Sequence, residues 1–104
     1  MMKYINNEAE LNEVTKEGIT LVDFYANWCG PCRMLSPVLE ELEEENSGIS
    51  IAKVDVDEAR ELAMKYKISA IPALLFFKDG SLVSTEVGFM SKDDLLEILK
   101  GINE

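Results

Sequence analysis

The order of hydrophobic and polar residues predicts five strands and four helices along the chain. Apolar runs rich in β-branched and aromatic residues predict the strands at residues 3–5, 19–26, 49–56, 73–77 and 82–87. The run at 19–26 is almost entirely apolar, which is typical of a central strand covered on both faces, and 49–56 is expected to be a second buried strand. Asp79-Gly80 is a two-residue turn signal, so the last two strands should form an antiparallel hairpin.

Apolar residues at helical spacing fill the other intervals between the strands and follow the last one. The four helices should begin at Asn6 or Asn7, at Pro31, at Asp57, and at Ser91 with Asp94 as its capping-box partner. The first should run to about residue 16 and end at Gly18, and the second should run to about residue 46. The residues expected to face inward from the first, third and fourth helices are Leu11, Val14, Ala59, Leu62, Ala63, Tyr66, Leu95, Leu99 and Ile102.

The second helix is strongly amphipathic. Its expected inward stripe consists of Met34, Leu35, Val38, Leu39 and Leu42. Glutamates cover the rest of its surface, which is typical of a solvated helix face. Pro37 lies inside this helix and should kink it.

The order of the elements is β, α, β, α, β, α, β, β, α, which indicates the α/β class. Parallel strands joined by right-handed helical crossovers should come first and the antiparallel hairpin last. We therefore expect one mixed sheet with helices on both faces. The 104 residues suit a single domain over 1–104.

Composition narrows the classes of function. The formal net charge is −10, which disfavours nucleic acid and anionic membranes as partners. The chain contains no His, which removes the commonest general base and metal ligand. Residues 1–7 lack the apolar stretch and the small-residue cleavage site of a signal peptide, so we expect a cytoplasmic protein.

The chemical signal is Trp28-Cys29-Gly30-Pro31-Cys32, where a buried strand ends and a helix begins. The free N–H groups and the dipole at a helix start favour a thiolate, the attacking species in disulfide exchange. Cys32 lies one helical turn further on, near enough to close a disulfide with Cys29. We therefore interpret Cys29 as the attacking sulfur and Cys32 as the resolving sulfur.

Two plainer interpretations of the cysteine pair stay open at this point. A zinc site normally needs four ligands, so two Cys without His would have to share a metal between two chains. A purely structural disulfide across so short a loop would constrain the unfolded chain little.

Asp23 is a second candidate, because a carboxylate inside a strand buried on both faces is unfavourable unless it is paired or protonated. Alternation places it on the face opposite Val22 and Phe24. We interpret it as the proton acceptor for Cys32, acting through water. The alternative is that Asp23 only caps or bonds to backbone.

The segment Val-Asp-Phe-Tyr-Ala-Asn-Trp-Cys-Gly-Pro-Cys-Arg-Met at residues 22–34 resembles the active-site segment of the thioredoxin family. The resemblance continues over essentially the whole chain, through residues 53–57, 71–80 and 87–88. It differs at Tyr25, where many relatives have Trp, and at Ala73, where Thr is usual. Met90, in the patch beyond Gly88, is a further small departure. These differences concern substrate preference rather than the reaction.

The resemblance implies a cis bond before Pro72, Ile71 backbone that pairs with an extended substrate, and close substrate approach at Gly88. It also places Lys53 near Asp23, although a lysine taken alone is more often on the surface. The implied substrate-binding residues are Trp28, Gly30, Pro31, Ile71, Pro72, Gly88, Phe89 and Met90. For Phe89 and Met90 a role in the core is an open alternative.

The resemblance further implies a protein-disulfide reductase that acts as a monomer and has no bound cofactor, because the Cys29–Cys32 pair is the redox centre. Its partners would be disulfide-containing client proteins and a flavin-dependent thioredoxin reductase as electron donor. A binding module within a larger complex is the alternative class, and an oxidase or isomerase of the same fold is another. Gly30-Pro31 between the cysteines resembles reducing members rather than oxidising ones.

Overall fold

A computed structural model describes residues 2–103 and contains the expected order of elements. The strands are β1 (Lys3–Tyr4), β2 (Ile19–Tyr25), β3 (Ile49–Asp55), β4 (Ala73–Lys78) and β5 (Ser81–Val87). The helices are α1 (Glu8–Thr15), α2 (Gly30–Glu45), α3 (Arg60–Lys65) and α4 (Lys92–Asn103). Within residues 2–103, no helix is long and apolar enough to cross a membrane.

The five strands form one mixed sheet in the order β1-β3-β2-β4-β5. Strand β3 pairs in parallel with both β1 and β2, whereas β4 is antiparallel to β2 and to β5. This confirms the predicted mixed sheet with a C-terminal hairpin. In the strand register, Asp23 of β2 is paired with Lys53 on β3 and with Leu74 on β4.

Alternation along β2 divides the core into two layers. Val22 and Phe24 belong to the apolar layer that also holds Leu11 of α1 and Leu62 of α3. Leu21, two residues before Asp23, belongs to the layer formed with leucines of α2 and α4. Because side chains two apart in a strand share a face, Asp23 lies on the α2–α4 side, and so on the face opposite Val22 and Phe24, as predicted.

The inner stripe of α2 is narrower than predicted. Leu35, Leu39 and Leu42 are fully buried and Val38 is half-buried. Met34 is 64% exposed, so its assignment to the stripe was wrong. Each residue turns a helix by about 100°, and the step from Leu35 back to Met34 rotates that side chain off the core face. The helix continues through Pro37 to Glu45.

The start of α3 also differs from the prediction. The helix begins at Arg60, and its N-cap is Ala59 rather than Asp57. Residues 56–58 form a turn instead, because Asp55 binds them: its Oδ1 accepts from the Asp57 N–H at 2.9 Å, and its carbonyl accepts from Glu58 at 3.1 Å. Asp57 is therefore free to point towards another part of the molecule.

The hairpin turn is tied to the end of α1. The Asp79 carboxylate accepts from the Gly18 N–H at 2.8 Å, and the Asp79 N–H donates back to the Gly18 carbonyl at 2.9 Å. The Gly80 N–H donates to the Thr15 carbonyl at 2.8 Å. Both turn residues have positive φ, 49° and 88°, which confirms the predicted hairpin turn. Asp79 and Gly18 are 61 residues apart in sequence.

Asn7 and Ser91 act as N-caps, as predicted. Asn7 caps α1 by accepting from the Glu10 N–H at 2.9 Å, and Ser91 accepts from the Asp94 N–H at 3.1 Å before α4. Both bonds satisfy backbone donors that a helix start otherwise leaves free.

Candidate active site

The cysteine pair lies where β2 gives way to α2. Cys29 is the N-cap residue of α2, and Pro31 occupies the first turn, where a missing N–H is tolerated. Cys29 and Cys32 form a disulfide with their Cα atoms 5.2 Å apart. The predicted disulfide is confirmed. The two residues are 5% and 2% exposed, so accessibility alone separates them little.

The backbone around Cys29 distinguishes the two sulfurs. The N–H of Cys32 donates to Cys29 Sγ at 3.2 Å. This is the bond that a side-chain oxygen forms at an ordinary N-cap, with a sulfur in its place. Once the disulfide is reduced, the same N–H and the helix dipole favour a thiolate at Cys29.

A second loop approaches the disulfide from the opposite side. The Ile71–Pro72 peptide bond is cis, as the resemblance implied, and the Ile71 carbonyl oxygen lies 3.9 Å from Cys29 Sγ. Gly88 donates its N–H to the Pro72 carbonyl at 2.8 Å and has φ +100°. Nothing lies within 4 Å of where a Cβ on Gly88 would stand. The geometry therefore leaves room for another chain beside this loop.

The surface around the disulfide is apolar and open. Trp28 is 69% and Phe89 46% exposed, so the core interpretation of Phe89 is wrong. Met90 is half-buried and packs against the layer that contains the α4 leucines. Pro31 is exposed and Gly30 is half-buried with open space beside it.

Asp57 is a site residue that the sequence analysis missed. Its Oδ2 accepts from Trp28 Nε1 at 2.9 Å and so fixes the exposed indole beside Cys29. A signal for it existed, because Asp55 and Asp57 end a predicted parallel strand, and the carboxyl ends of such strands gather site residues. The sequence analysis instead interpreted Asp57 as the cap of the third helix.

Asp23 is completely buried. Neither of its carboxylate oxygens receives a hydrogen bond from the protein groups described, so the alternative of a cap or backbone partner fails. Burial raises its pKa from 3.8 to about 7, and the positive charge of Lys53 opposes part of that rise. Asp23 is therefore poised to change protonation near neutral pH.

Lys53 is the charged neighbour of Asp23, and its side chain is only 5% exposed. Its Nζ lies 3.8 Å from Asp23 Oδ2, beyond hydrogen-bond distance. It donates instead to Ser36 Oγ at 3.0 Å and lies 4.4 Å from the centre of the Tyr25 ring. The surface-lysine interpretation is wrong, and Ser36 is a contact that the sequence analysis did not anticipate.

A groove of about 360 Å³ opens beside this pair. It is lined by Tyr4, Tyr25, Ala26, Asn27, Cys32, Arg33, Ser36 and Lys53. Cys32 and Lys53 thus share one solvent-accessible space. No group of three or more His, Cys, Asp or Glu suited to a metal ion occurs in the part of the chain described.

Comparisons with known proteins agree with this geometry. The family model for thioredoxin matches residues 2–101. A thioredoxin from Mycoplasmoides gallisepticum is 44% identical over 100 residues, which cover 95% of this chain and all of that protein. One from Bacillus subtilis is 52% identical over 86 residues, covering 82% and 83% of the two chains.

Solved structures show the same similarity. A mutant thioredoxin from Halobacterium salinarum superposes with a TM-score of 0.92 at 41% identity, covering 98% of this chain and 90% of that one. Mitochondrial thioredoxin 3 from Saccharomyces cerevisiae, in its oxidised form, gives a TM-score of 0.88 at 30% identity, with 96% and 94% covered.

Proposed function

The chain belongs to the thioredoxin family and is a dithiol–disulfide oxidoreductase, and on this premise we propose that it reduces disulfides in client proteins through Cys29. The observation that carries the proposal is the Cys32 N–H aimed at Cys29 Sγ, at 3.2 Å. It gives Cys29 the helix-start environment that favours a thiolate and leaves Cys32 as the resolving sulfur.

The reaction has two exchanges. The Cys29 thiolate attacks one sulfur of the client disulfide, forming a mixed disulfide and releasing the other client sulfur as a thiolate. Cys32 then loses its proton and attacks Cys29 Sγ. The Cys29–Cys32 disulfide forms, the second client sulfur leaves, and the client gains two electrons while this chain loses two.

Asp23 accepts the Cys32 proton in the second exchange. A pKa of about 7 suits a group that must take and release a proton near neutral pH. The carboxylate is buried, and its neighbour Lys53 lines the same groove as Cys32, so water in this groove would carry the proton from Cys32 towards Asp23. Lys53 modulates Asp23 through its positive charge.

The client docks on the opposite side of the disulfide. An extended client segment lies against the backbone of Ile71 and the open space at Gly88, and apolar side chains pack on exposed Trp28 and Phe89. The remaining contacts come from Gly30, Pro31, Pro72 and Met90.

The family supplies the coarse partners, namely disulfide-containing proteins and a reductase that regenerates the dithiol. We propose a flavoprotein thioredoxin reductase as the electron donor, and a monomer that works as one domain over residues 1–104. A compartment that keeps thiols reduced, such as the cytoplasm, suits this direction of electron flow. No bound cofactor is needed, because the dithiol carries both electrons.

Reduction of insulin disulfides by the isolated chain with dithiothreitol tests the activity. We expect turnover well above the dithiothreitol background, and loss of that turnover in Cys29→Ser. An inactive parent chain that still binds disulfide-containing clients would instead favour a binding module.

A further inference from the structure

Ser36 stands between the buried pair and the groove, and it has no part in the reaction as described so far. It lies on α2 one turn after Cys32 and is half-buried. Its hydroxyl oxygen accepts from Lys53 Nζ at 3.0 Å. Lys53 thus has a hydrogen-bond partner on α2 although an unsatisfied carboxylate lies 3.8 Å away on the neighbouring strand.

We propose that Ser36 is a positioning residue that holds the Lys53 ammonium back from Asp23, and so keeps the Asp23 carboxyl able to exchange a proton. The face of the Tyr25 ring lies 4.4 Å from Lys53 Nζ and also attracts the ammonium through a cation–π contact. The inference rests on the proposed role of Asp23 as proton acceptor, and names the group that tunes it.

Among the residues around Asp23, Lys53 is the charged group that acts on the Asp23 pKa. On β4 the register neighbour of Asp23 is Leu74, and α4 contributes Leu95 and Leu99 to the same layer. On β3 its register neighbour is Lys53. On α2, Ser36 contacts Lys53, and the disulfide at Cys32, which lines the same groove, carries no charge.

The further titratable groups near the groove are Tyr4, Tyr25, Arg33 and Asp55. Asp55 approaches the Asn27 amide at 3.5 Å, and Arg33 donates to the Asn27 carbonyl at 2.9 Å. On the strand of Asp23, the Tyr25 phenol has a pKa raised by burial, so it is neutral around pH 7. The distance between Lys53 and Asp23 is thus the variable that Ser36 controls.

The direction of the effect follows from what each group lacks. Without the Ser36 hydroxyl, the buried ammonium loses its acceptor and the Asp23 oxygens still lack donors. A movement of about 1 Å would turn the 3.8 Å separation into a charge-assisted hydrogen bond. That bond favours the ionised carboxylate, so Asp23 would release its proton at lower pH.

The test is a carbon-13 NMR titration of the Asp23 carboxyl in the oxidised chain. We expect Ser36→Ala to lower the titration midpoint by roughly half to one pH unit. Ser36→Thr keeps a hydroxyl and should retain the parental midpoint. Because alanine is the better helix former, Ser36→Ala should fold.

The matched control is the Lys53→Met variant, which lacks the ammonium. On the proposal, Ser36 affects the Asp23 midpoint only by holding that ammonium. In the Lys53→Met variant, adding Ser36→Ala should therefore leave the midpoint unchanged. An unchanged or raised midpoint in Ser36→Ala alone would overturn the inference, and so would a midpoint in Ser36→Thr equal to that of the alanine variant. The pH profile of the resolving step should move with the midpoint.

The role of Asp23 itself is tested separately. If Asp23→Asn resolves mixed disulfides as fast as the parent chain, the proposed proton acceptor is wrong. The NMR midpoint still decides whether Ser36 positions Lys53, because it does not depend on turnover.

Discussion

The two faces of β2 are equally buried and yet do different things. Towards α1 and α3 the strand presents Val22 and Phe24, packed among apolar side chains. Towards α2 and α4 it presents Leu21 and then Asp23, both fully buried. The first face packs apolar side chains against α1 and α3, whereas the second buries a carboxyl next to Lys53, which lines the same groove as Cys32. A charged residue on a buried face therefore identifies a candidate for chemistry better than burial alone does.

The carboxyl on the second face destabilises the protein at neutral pH. Its pKa is about 7 when folded and near its ordinary 3.8 when unfolded. Between these values the native state binds more protons than the unfolded chain, so stability falls as pH rises through this window. Below it the Asp23 carboxyl is protonated in both states, so its ionisation no longer lowers stability.

The largest effect on activity should come from substitutions of the two cysteines, which lie where β2 gives way to α2. Cys32→Ser should lower disulfide-reductase turnover by roughly 10⁴-fold, because attack continues but resolution stops. It should also trap mixed disulfides with client proteins, visible on non-reducing gels. Cys29→Ser should trap almost none, and equal trapping by both variants would contradict the assigned roles.

The purely structural face is tested by Phe24→Ala. Removing this ring from the closed apolar layer should lower the free energy of unfolding by about 3–5 kcal/mol, measured by urea denaturation. The Asp23 midpoint, followed by NMR on the folded fraction, should stay where it is. A shift of that midpoint would mean that the two faces cannot be separated.

The functional face is tested by Asp23→Ala, whose sign depends on pH. At pH 8 the oxidised variant should be more stable than the parent by roughly 1–3 kcal/mol. This net gain already subtracts the cost of the cavity that the substitution leaves and the cost of removing the neighbour of the Lys53 ammonium. Near pH 5 the gain should vanish. Denaturant unfolding at pH 5 and at pH 8 measures the change in stability. Single-turnover exchange measures the reaction, and it should show a slower resolving step. A variant that is less stable and fully active would make Asp23 structural.

The smallest effect concerns the two thiols of the reduced protein. Alkylation followed by mass spectrometry should show Cys29 reacting at lower pH than Cys32, by about one pH unit or more. The reason is the Cys32 N–H directed at Cys29 Sγ. Preferential labelling of Cys32 would reverse the assignment.

The sequence predicted the order of elements because each strand and helix carries its own periodic pattern. Asn7 and Ser91 worked as local signals, since each bonds a backbone N–H three residues away. The Asp79-Gly80 turn worked as well, because its two positive φ angles depend on the turn residues themselves. Met34 was misplaced because adjacent apolar residues on a helix differ by about 100° in direction.

The active site was predicted where it depends on one segment and missed where it depends on several. The position of Cys29 at a helix start follows from adjacent residues, and Asp23 was found because a charge interrupts an apolar run. Asp57 and Ser36 were missed because their partners, Trp28 and Lys53, lie 29 and 17 residues away. Such contacts exist only after the sheet has brought the segments together.

The tie between the hairpin and α1 affects where the chain could accept an inserted peptide. Asp79 and Gly80 are exposed and look like a loop tip, which is where grafts and chain breaks are usually tolerated. Here that tip supplies the hydrogen-bond partners of Gly18 and Thr15, so a graft between the two residues would detach the end of α1 as well as lengthen a turn. This tip is therefore a poor site for displaying a foreign epitope.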